Sequence, residues 1–331
     1  MPNLITNTAT LQTYLGAAYS LSHDITNSIE PFIGLAKEEY IEKAVSPELI
    51  TYLEAVPAWP SANAYDNKLH ALVCRALAFY GYYVYINGYA TGRDGNNGLE
   101  ETNSKNATPI RQSMLEKRIE ASLASAAFAL EQVLQLLFSQ PSRYPAWQAS
   151  ETYLTAANLF IQNGEQLKAA CPPTFGHYRI LFTLKPYMIE TQRRVFLKLL
   201  GKPLHDSILQ NTKTNTLTPP QKLLLPYIQR ALAYHTYYDA LPYLNVVQTV
   251  KGGLRILSEF DGINNRKSVV GDDFLNYHKK VHVMSESYER ELKTYLQTNA
   301  AQFPDYTLDP NPQPAGLPAS NKKQPQYHRM R

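Results

Sequence analysis

Apolar residues recur three or four positions apart along most of the chain, and this spacing predicts a mainly helical protein. The clearest helix begins after Thr218, a good N-cap residue, with Pro219 and Pro220 in the first turn. Further helices are predicted over about 67–85, 109–139 and 272–299. The helix over 109–139 carries a wide apolar stripe, whereas the helix over 272–299 is much more polar. We therefore expect the former to be central in the fold and the latter more peripheral.

Two stretches rich in Gly and Asn, at 87–106 and 245–265, follow predicted helices. Each holds a short extended piece, at 98–102 and 253–257, and then residues typical of a turn. The pattern predicts a β-hairpin-like excursion from each helical body. Loops on a rigid scaffold commonly carry binding function. We therefore predict partner contacts at Gly98, Leu99, Gly253 and Leu254.

The chain resembles itself when it is shifted by 155 residues. Residues 75–83 align with 230–238, and Arg75, Gly98 and Ser113 fall on Arg230, Gly253 and Ser268. The offset holds from about 28 to 113, which predicts two copies of one unit. Residues 141–182 hold material without a counterpart in the first copy, although 14–18 resemble 153–157 at an offset of 139.

The predicted fold is all-α, with two tandem pseudo-repeated helical bundles, each with a short β-hairpin-like excursion, and an extended C-terminal arm. The predicted units are a first repeat at 1–145, a second repeat at 146–303 and the arm at 304–331. Six prolines fall within 304–331, with almost no apolar periodicity. Such a segment cannot bury enough apolar surface to order itself. We therefore expect it to lie on a neighbouring subunit, with contacts from Tyr306, Leu308, Leu317, Lys322, Lys323, Tyr327, Arg329 and Arg331.

Composition adds two constraints on the surface. Only 18% of the residues are charged, and 24 are Tyr. The tyrosines either form an aromatic surface that a partner covers or cap the edge of the core, and both readings stay open. The net charge of +4 equals the four basic residues of 320–331, so the remaining body is formally neutral. A neutral body argues against broad nucleic-acid binding, which needs a basic face.

The cysteine count and the N-terminus indicate the compartment. Cys74 and Cys171 form no disulfide framework and have no metal-ligand spacing, which fits a reducing environment. The N-terminus lacks the pattern of a signal peptide, and no run of 18 apolar residues is present. We expect a soluble protein that is made inside a cell and has no membrane partner.

No pattern in the sequence assembles an active site. His278 and His282 have the spacing of two metal ligands on a helix, but no third ligand accompanies them. The adjacent residues 205–207, His-Asp-Ser, lack the glycine motif of a nucleophile elbow. The glycines of 88–98 match no phosphate-binding or dinucleotide-binding fingerprint, and the carboxylates of 100–101 favour a solvated turn. We predict no catalytic, cofactor-binding or metal-binding residues and no enzyme activity.

Several segments resemble an uncharacterised family that phages and prophages of Bacteroidetes encode. The resemblance lies in 223–234, 240–244 and 252–258, and in a central set of residues: Trp147, Ser150, Leu159, Phe160, Arg179, Phe182, Leu184, Lys185, Pro186, Glu190, Leu200 and Gly201. It covers most of 145–300 and, through the internal likeness, part of 28–140. Members of this family are similar to head–tail connector or neck proteins, which stack as rings between portal and tail. The Gly- and Asn-rich stretch 86–97 departs from the family pattern.

The resemblance implies a structural virion protein at the head–tail interface, assembled in the host cytoplasm. The expected partners are further copies in a homo-oligomeric ring, the portal protein and neighbouring neck or tail proteins. The ring would pass DNA without reading its sequence, and the basic arm would meet either acidic protein groups or packaged DNA. The alternative is a nucleic-acid-binding accessory protein of DNA packaging or replication that uses the basic C-terminal tail.

Overall fold

The computed structural model describes residues 4–5, 8–16, 29–86, 100–103, 106–109, 112–174, 177–244, 246–248, 254–256 and 272–306. Helices dominate this part of the chain, and its strands form two separate two-stranded antiparallel hairpins. The all-α prediction is confirmed.

The described residues of the first unit contain five helices and one hairpin. Helix α2 is continuous through a π-helical turn, because Glu30–Ala36, the π turn Lys37–Ile41 and Glu42–Val45 follow one another directly. The other elements are α1 (Thr8–Leu15), α3 (Pro47–Glu54), α4 (Ala64–Val84), β1 (Glu100–Asn103), β2 (Asn106–Pro109) and α5 (Gln112–Ser139). Helix α4 begins earlier than predicted because the Asn63 side chain accepts a hydrogen bond from the Tyr65 amide at 3.0 Å and caps the helix.

A connecting segment and a second unit follow. The connecting segment contains the 3₁₀ turn Pro141–Arg143 and the short helices α6 (Pro145–Gln148) and α7 (Glu151–Ala157). Helix α9 again runs through a π turn, as Tyr178–Thr191, Gln192–Phe196 and Leu197–Leu200. The other elements are α8 (Gly164–Ala170), α10 (Lys202–Thr214), α11 (Pro219–Leu244), β3 (Val246–Gln248), β4 (Leu254–Ile256) and α12 (Asp272–Thr298).

Local backbone features of the first unit recur 155 residues later. The two π turns, Lys37–Ile41 and Gln192–Phe196, lie at this offset. The residue between α2 and α3, Ser46, has φ 93° and ψ 146°, and its counterpart Gly201 has φ 73° and ψ 147°. These two backbone irregularities therefore occupy the same places in the two units.

One hydrogen bond between helices recurs in the same way. In the first unit the Tyr52 hydroxyl on α3 donates to Asp66 on α4 at 2.8 Å. In the second unit the Gln221 amide on α11 donates to the Ser207 hydroxyl on α10 at 3.2 Å, and these positions are again 155 residues further on. Equivalent helix pairs are thus joined by a hydrogen bond at equivalent positions, although the side chains that form it differ.

The N-terminal helix α1 has its counterpart in α8, and the expectation from the 14–18 likeness is wrong. Cys74 on α4 donates through its thiol to the Leu4 carbonyl at 3.6 Å, and Gln229 on α11 donates to the Phe160 carbonyl at 2.8 Å. The buried positions that follow agree at an offset of 156: Ile5 with Ile161, Leu11 with Leu167 and Leu15 with Cys171. Helices α1 and α8 pack on α4 and α11 respectively. The similarity between units therefore begins near residue 4, and 160–171 do have a counterpart.

The two hairpins are not built from equivalent strands. Strand β1 lies close to the position of β4 at the 155-residue offset. However, β1 pairs with the strand that follows it, whereas β4 pairs with the strand that precedes it. Leu254 begins β4, while Gly98, Leu99 and Gly253 lie outside the described residues. The partner contacts of both excursions stay a prediction.

One continuous cluster of buried side chains runs from Ile5 to Phe303 and includes residues of both units. Helix α5 contributes more buried apolar positions than α12, as the sequence predicts. By length and composition alone the segment Lys117–Ser139 of α5 could cross a membrane. In the structure α5 packs along α4, which accounts for its apolar stripe. The cluster includes residues on both sides of the predicted boundary near 146, and the predicted units stay a prediction.

Substitutions at the two equivalent bends should change the free energy of unfolding by unequal amounts. Gly201→Ala should lower the free energy of unfolding by about 2 kcal/mol, because a Cβ at positive φ is strained. Ser46→Gly should change it by less than about 1 kcal/mol, because relief of strain offsets the loss of a long capping bond. Urea unfolding of both variants measures the difference. Equal destabilisation by the two substitutions would contradict the equivalence of these bends.

Candidate assembly interface

The connecting segment is anchored to the first unit by a buried aromatic cluster. Trp147 is fully buried, and its ring lies edge-on to Phe138 of α5 at 5.2 Å between centroids and to Tyr153 at 5.9 Å. The Tyr144 hydroxyl donates to the Tyr65 carbonyl at the start of α4 at 3.2 Å. Burial of such rings contributes several kcal/mol. The beginning of the connecting segment is therefore part of the first unit's core.

The end of the connecting segment binds the second unit at the π turn of α9. The Gln192 side chain donates to the Asn158 carbonyl at 3.1 Å and accepts from the Phe160 amide at 3.2 Å. Lys185, one helical segment earlier, donates to the Thr152 carbonyl at 3.4 Å, and burial lowers the pKa of its ammonium group. The connecting segment thus crosses from the core of one unit to the α9–α10 face of the next.

The first part of this connection recurs after the second unit. The 3₁₀ turns Pro141–Arg143 and Ala300–Gln302 lie 159 residues apart. The residues that follow these turns, Tyr144 and Phe303, are both buried and have nearly the same backbone angles, φ −124°, ψ 81° and φ −126°, ψ 75°. Proline follows in both cases, and Tyr306 then stands where the first unit has Trp147. The chain therefore leaves both units through the same turn, up to the residue before the proline.

The equivalent α2–α3 and α9–α10 faces carry opposite charge. Residues 37–51 contain four carboxylates and two lysines, whereas residues 192–206 contain four Arg or Lys and one carboxylate. At matching positions Glu38 and Glu39 become Arg193 and Arg194. Glu38 and Glu48 are exposed and make no ion pair within the described ranges. We call residues 37–51 the acidic face and residues 192–206 the basic face.

Clefts flank the connecting segment on both faces. One cleft, of about 420 Å³, lies between Thr155, Asn158 and the basic face, where Arg193 pairs with Glu190 at 2.8 Å. Lys202 pairs with Asp206 at the same edge, which lowers the pKa of that carboxyl. The other cleft, of about 470 Å³, lies between Glu151 and the acidic face beside Glu42 and Glu48. The connecting segment therefore runs past charged rims on both units.

A partly buried polar contact joins α11 and α12 in the second unit. His235 on α11 and Glu289 on α12 lie 2.9 Å apart, where the first unit has Tyr80 and Leu134. The hydrogen bond to His235, assisted by Lys293, lowers the pKa of Glu289 to about 2. The second unit thus holds its two long helices together partly by charge.

The low pKa of Glu289 makes the stability of the second unit sensitive to acid. Its carboxylate is favoured in the folded state, so its stabilisation is complete above its ordinary value of 4.5 and is lost as the pH falls towards 2. Glu289→Gln should lower the free energy of unfolding by about 2 kcal/mol at pH 7 and change it little at pH 2. Thermal unfolding across this range tests it. An equal loss at both pH values would contradict the ionic origin.

Of the arm residues predicted to contact a neighbour, only Tyr306 lies in the described part of the chain. It is half-buried and packs against its own subunit's core, and its amide donates to the Phe303 carbonyl at 2.9 Å. This burial raises the pKa of its hydroxyl. The remaining predicted contacts fall on residues outside the described ranges: Leu308, Leu317, Lys322, Lys323, Tyr327, Arg329 and Arg331. Their contacts stay a prediction.

The histidines, the serine and the cysteines that the sequence analysis considered as candidate site residues make the following contacts. His278 and His282 stack on the Tyr238 ring at 4.3 and 4.6 Å between centroids. His205 contacts Asp206 at 2.9 Å, but Ser207 accepts from Gln221 instead. Burial raises the pKa of both Cys74 and Cys171 to about 12. In the part of the chain that the structure describes, no three His, Cys, Asp or Glu residues are grouped to hold a metal ion.

Most tyrosines take the core-edge role that the sequence left open. Many are partly buried against the core, and several stack in pairs, such as Tyr40 with Tyr80 at 4.4 Å and Tyr227 with Tyr295 at 4.5 Å. The acidic and basic faces, in contrast, were missed from the sequence. Reading charges at the 155-residue offset, rather than identities, would have found them, because Glu38 and Arg193 share a position.

Comparison with known proteins gives one match. The model of a family of unknown function, DUF6712, matches residues 30–157 and 196–316, about three quarters of the chain. The second matched segment ends 159 residues after the first, the distance that also separates the two 3₁₀ turns. No curated protein and no solved structure matches the chain.

Proposed function

The chain belongs to the DUF6712 family of unknown function, and we propose that it is a structural subunit that assembles head to tail into a closed ring. The observation that carries the proposal is the repeated exit of the chain, at Tyr144–Trp147 and again at Phe303–Tyr306. Within one chain this exit leads onto the next unit. After the second unit it leads onto the first unit of another copy.

A ring follows from the geometry of such a contact. A head-to-tail interface joins two different surfaces, and it closes into a ring when the rotation per subunit divides the circle. Two tandem units that resemble each other in fold, one with an acidic face and one with a basic face, supply unlike ends. The proposed subunit therefore has two different surfaces, and one of them binds the other surface of the neighbouring copy.

The resemblance to head–tail connector proteins suggests where such a ring acts. We place it in the virion of a tailed phage, between the portal and the tail, where it passes DNA and docks tail components. Its partners are then further copies of itself, the portal protein and neighbouring neck proteins. The proposed role is structural and includes no catalysis.

Imaging tests this proposal. Negative-stain micrographs of the purified full chain should show closed rings of uniform diameter, and mixing with the cognate portal protein should place one ring on the portal. Particles of monomer size at every concentration, alone and with portal, would contradict it.

Nucleic-acid binding through the basic tail is the second candidate, favoured by the four basic residues of 320–331. Tail-mediated DNA binding should weaken steeply between about 50 and 200 mM salt, because bound counterions are released. A fluorescent DNA duplex titrated with the full chain and with a chain lacking 307–331 distinguishes the two. Tight, arm-dependent DNA binding by a protein that stays monomeric would favour this candidate.

A further inference from the structure

We propose that the C-terminal segment 307–331 of one copy docks on the acidic face, residues 37–51, of the next copy. This inference rests on the proposed function and names the contact that would hold the ring together. Its occupant is a segment of this same chain, supplied in trans.

The path of the chain after the first unit indicates where the C-terminal segment would lie. The connecting segment continues from Trp147 to Asn158, where its carbonyl accepts from Gln192 of the basic face at 3.1 Å. The corresponding residues after the second unit, at the 159-residue spacing of the two exits, run from Tyr306 to Leu317. The counterpart of Gln192 on the first unit is Lys37, on the acidic face. The same path therefore brings Leu317 to Lys37 of another copy.

The C-terminal segment and its proposed surface carry opposite charge. The part of the connecting segment that lines the cleft of the basic face, 155–159, is uncharged, and the segment's one acid, Glu151, lines the cleft of the acidic face instead. The segment 307–331 carries four bases and one acid, and its proposed surface is acidic. The segment 307–331 is thus opposite in sign to the face that is proposed to receive it. Complementary potentials of this kind set which surfaces pair and in which order.

The segment after Leu317 is long enough to extend along helix α3. Lys322 lies five residues beyond Leu317. In a polyproline conformation, at about 3.1 Å per residue, these five residues span about 16 Å. Helix α3 has eight residues, about 12 Å at 1.5 Å per residue. Lys37 contacts Glu54 at the C-terminal end of α3, and Glu48 lies near its N-terminal end. A segment that places Leu317 at Lys37 is therefore long enough to run along α3 and bring Lys322 and Lys323 to Glu48.

The acidic face has exposed carboxylates that make no ion pair among the described residues. Lys37 is held by Glu54 at 3.0 Å and by Glu42 at 3.9 Å, and Glu39 is held by Lys43 at 2.7 Å. Glu38 and Glu48 remain exposed without an ion pair among the described residues. One helical turn before Glu38, Leu35 is 48% exposed and offers apolar contact for the side chain of Leu317. The face thus provides both unpaired carboxylates and an apolar spot.

Charge reversal on the full-length chain tests the contact. The face variant is Glu38→Lys with Glu48→Lys, and the arm variant is Lys322→Glu with Lys323→Glu. The matched control is Glu291→Lys with Glu165→Lys, which reverses one exposed mid-helix and one first-turn carboxylate elsewhere. Far-ultraviolet circular dichroism confirms folding, and sedimentation velocity gives the assembled mass against concentration.

We expect the face variant and the arm variant each to need a concentration about tenfold higher for assembly, while the control behaves as wild type. A mixture of the two variants should assemble with the two variants alternating, because the wild-type arm of one meets the wild-type face of the other and the reversed arm meets the reversed face. A chain with all four reversals should assemble again, because the charges attract once more.

Other outcomes overturn the inference. If the wild type assembles and both variants assemble equally well, or if the fourfold reversal does not restore assembly, the arm does not dock on this face. If the variants keep the wild-type mass but lose arm protection in hydrogen exchange, the arm binds its own chain. If the wild type itself stays monomeric, the proposed ring fails as well.

Discussion

Replacing Trp147 with alanine should lower the free energy of unfolding by about 4 kcal/mol. The side chain is fully buried between Phe138 and Tyr153, at the point where the connecting segment leaves the first unit. Its removal leaves a cavity that the surrounding rigid helices cannot fill. Urea unfolding followed by far-ultraviolet circular dichroism measures the loss.

Two matched substitutions show that the effect comes from buried volume. The Trp147 indole nitrogen is buried and has no hydrogen-bond partner, so Trp147→Phe should cost less than half as much. Tyr306→Ala, at the corresponding place after the second unit, should also cost less, because Tyr306 is only half-buried. A loss below about 1 kcal/mol for Trp147→Ala would show that the connecting segment is not part of the core.

Deleting residues 307–331 should abolish assembly and leave the unfolding of the folded body almost unchanged. The described core ends with Phe303 and Tyr306, so this truncation removes none of the buried side chains that the structure describes. Light scattering after size-exclusion chromatography gives the mass, and differential scanning calorimetry gives the unfolding temperature. Calorimetry should be done below the concentration at which the wild type assembles, since association raises the apparent stability.

The position of the truncation matters for this result. Deleting 304–331 also removes Tyr306 and should lower the unfolding temperature measurably, which serves as the control. A chain without 307–331 that assembles normally would contradict the account. A chain without 307–331 that unfolds many degrees lower would show that the segment belongs to the fold.

Much of the helical architecture could be predicted because it depends on local spacing and on matching residues. Arg75 and Arg230 lie at the same offset in α4 and α11, and the N-cap role of Thr218 is visible in the sequence and in its bond to the Gln221 amide at 3.4 Å. The start of α5 was predicted three residues too early, because β2 occupies 106–109. Pairing in a hairpin depends on partners outside the segment, which local spacing does not encode.

The equivalence of α1 and α8 could not be predicted for a different reason. It depends on a few buried positions, such as Leu11 and Leu167, and its offset differs by one residue from that of the later helices. The bond from Cys74 to the Leu4 carbonyl and the bond from Gln229 to the Phe160 carbonyl perform the same task with unlike side chains. Only the fold brings such pairs into correspondence.

The candidate interface was hidden because its two halves differ in charge. Residue matching at the 155-residue offset finds no likeness between Glu38 and Arg193, although they occupy equivalent places in the π turns of α2 and α9. Tyr306 was assigned to the arm because it follows Pro304, yet the turn before it repeats the one that leads to Trp147. The first feature becomes visible once charges are compared at this offset, and the second once backbone angles are compared.

Cross-linking of mixed isotopic copies tests the central claim most directly. Rings assembled from equal amounts of ¹⁴N- and ¹⁵N-labelled full-length chain are treated with a carbodiimide, which joins lysines to carboxylates in direct contact, and the peptides are analysed by mass spectrometry. The account predicts cross-links from Lys322 and Lys323 to Glu38, Glu39 or Glu48 in which about half of the pairs combine the two isotopes, as random mixing of contacts between copies requires. Cross-links between these residues that never combine isotopes, or their absence from assembled rings, would contradict it.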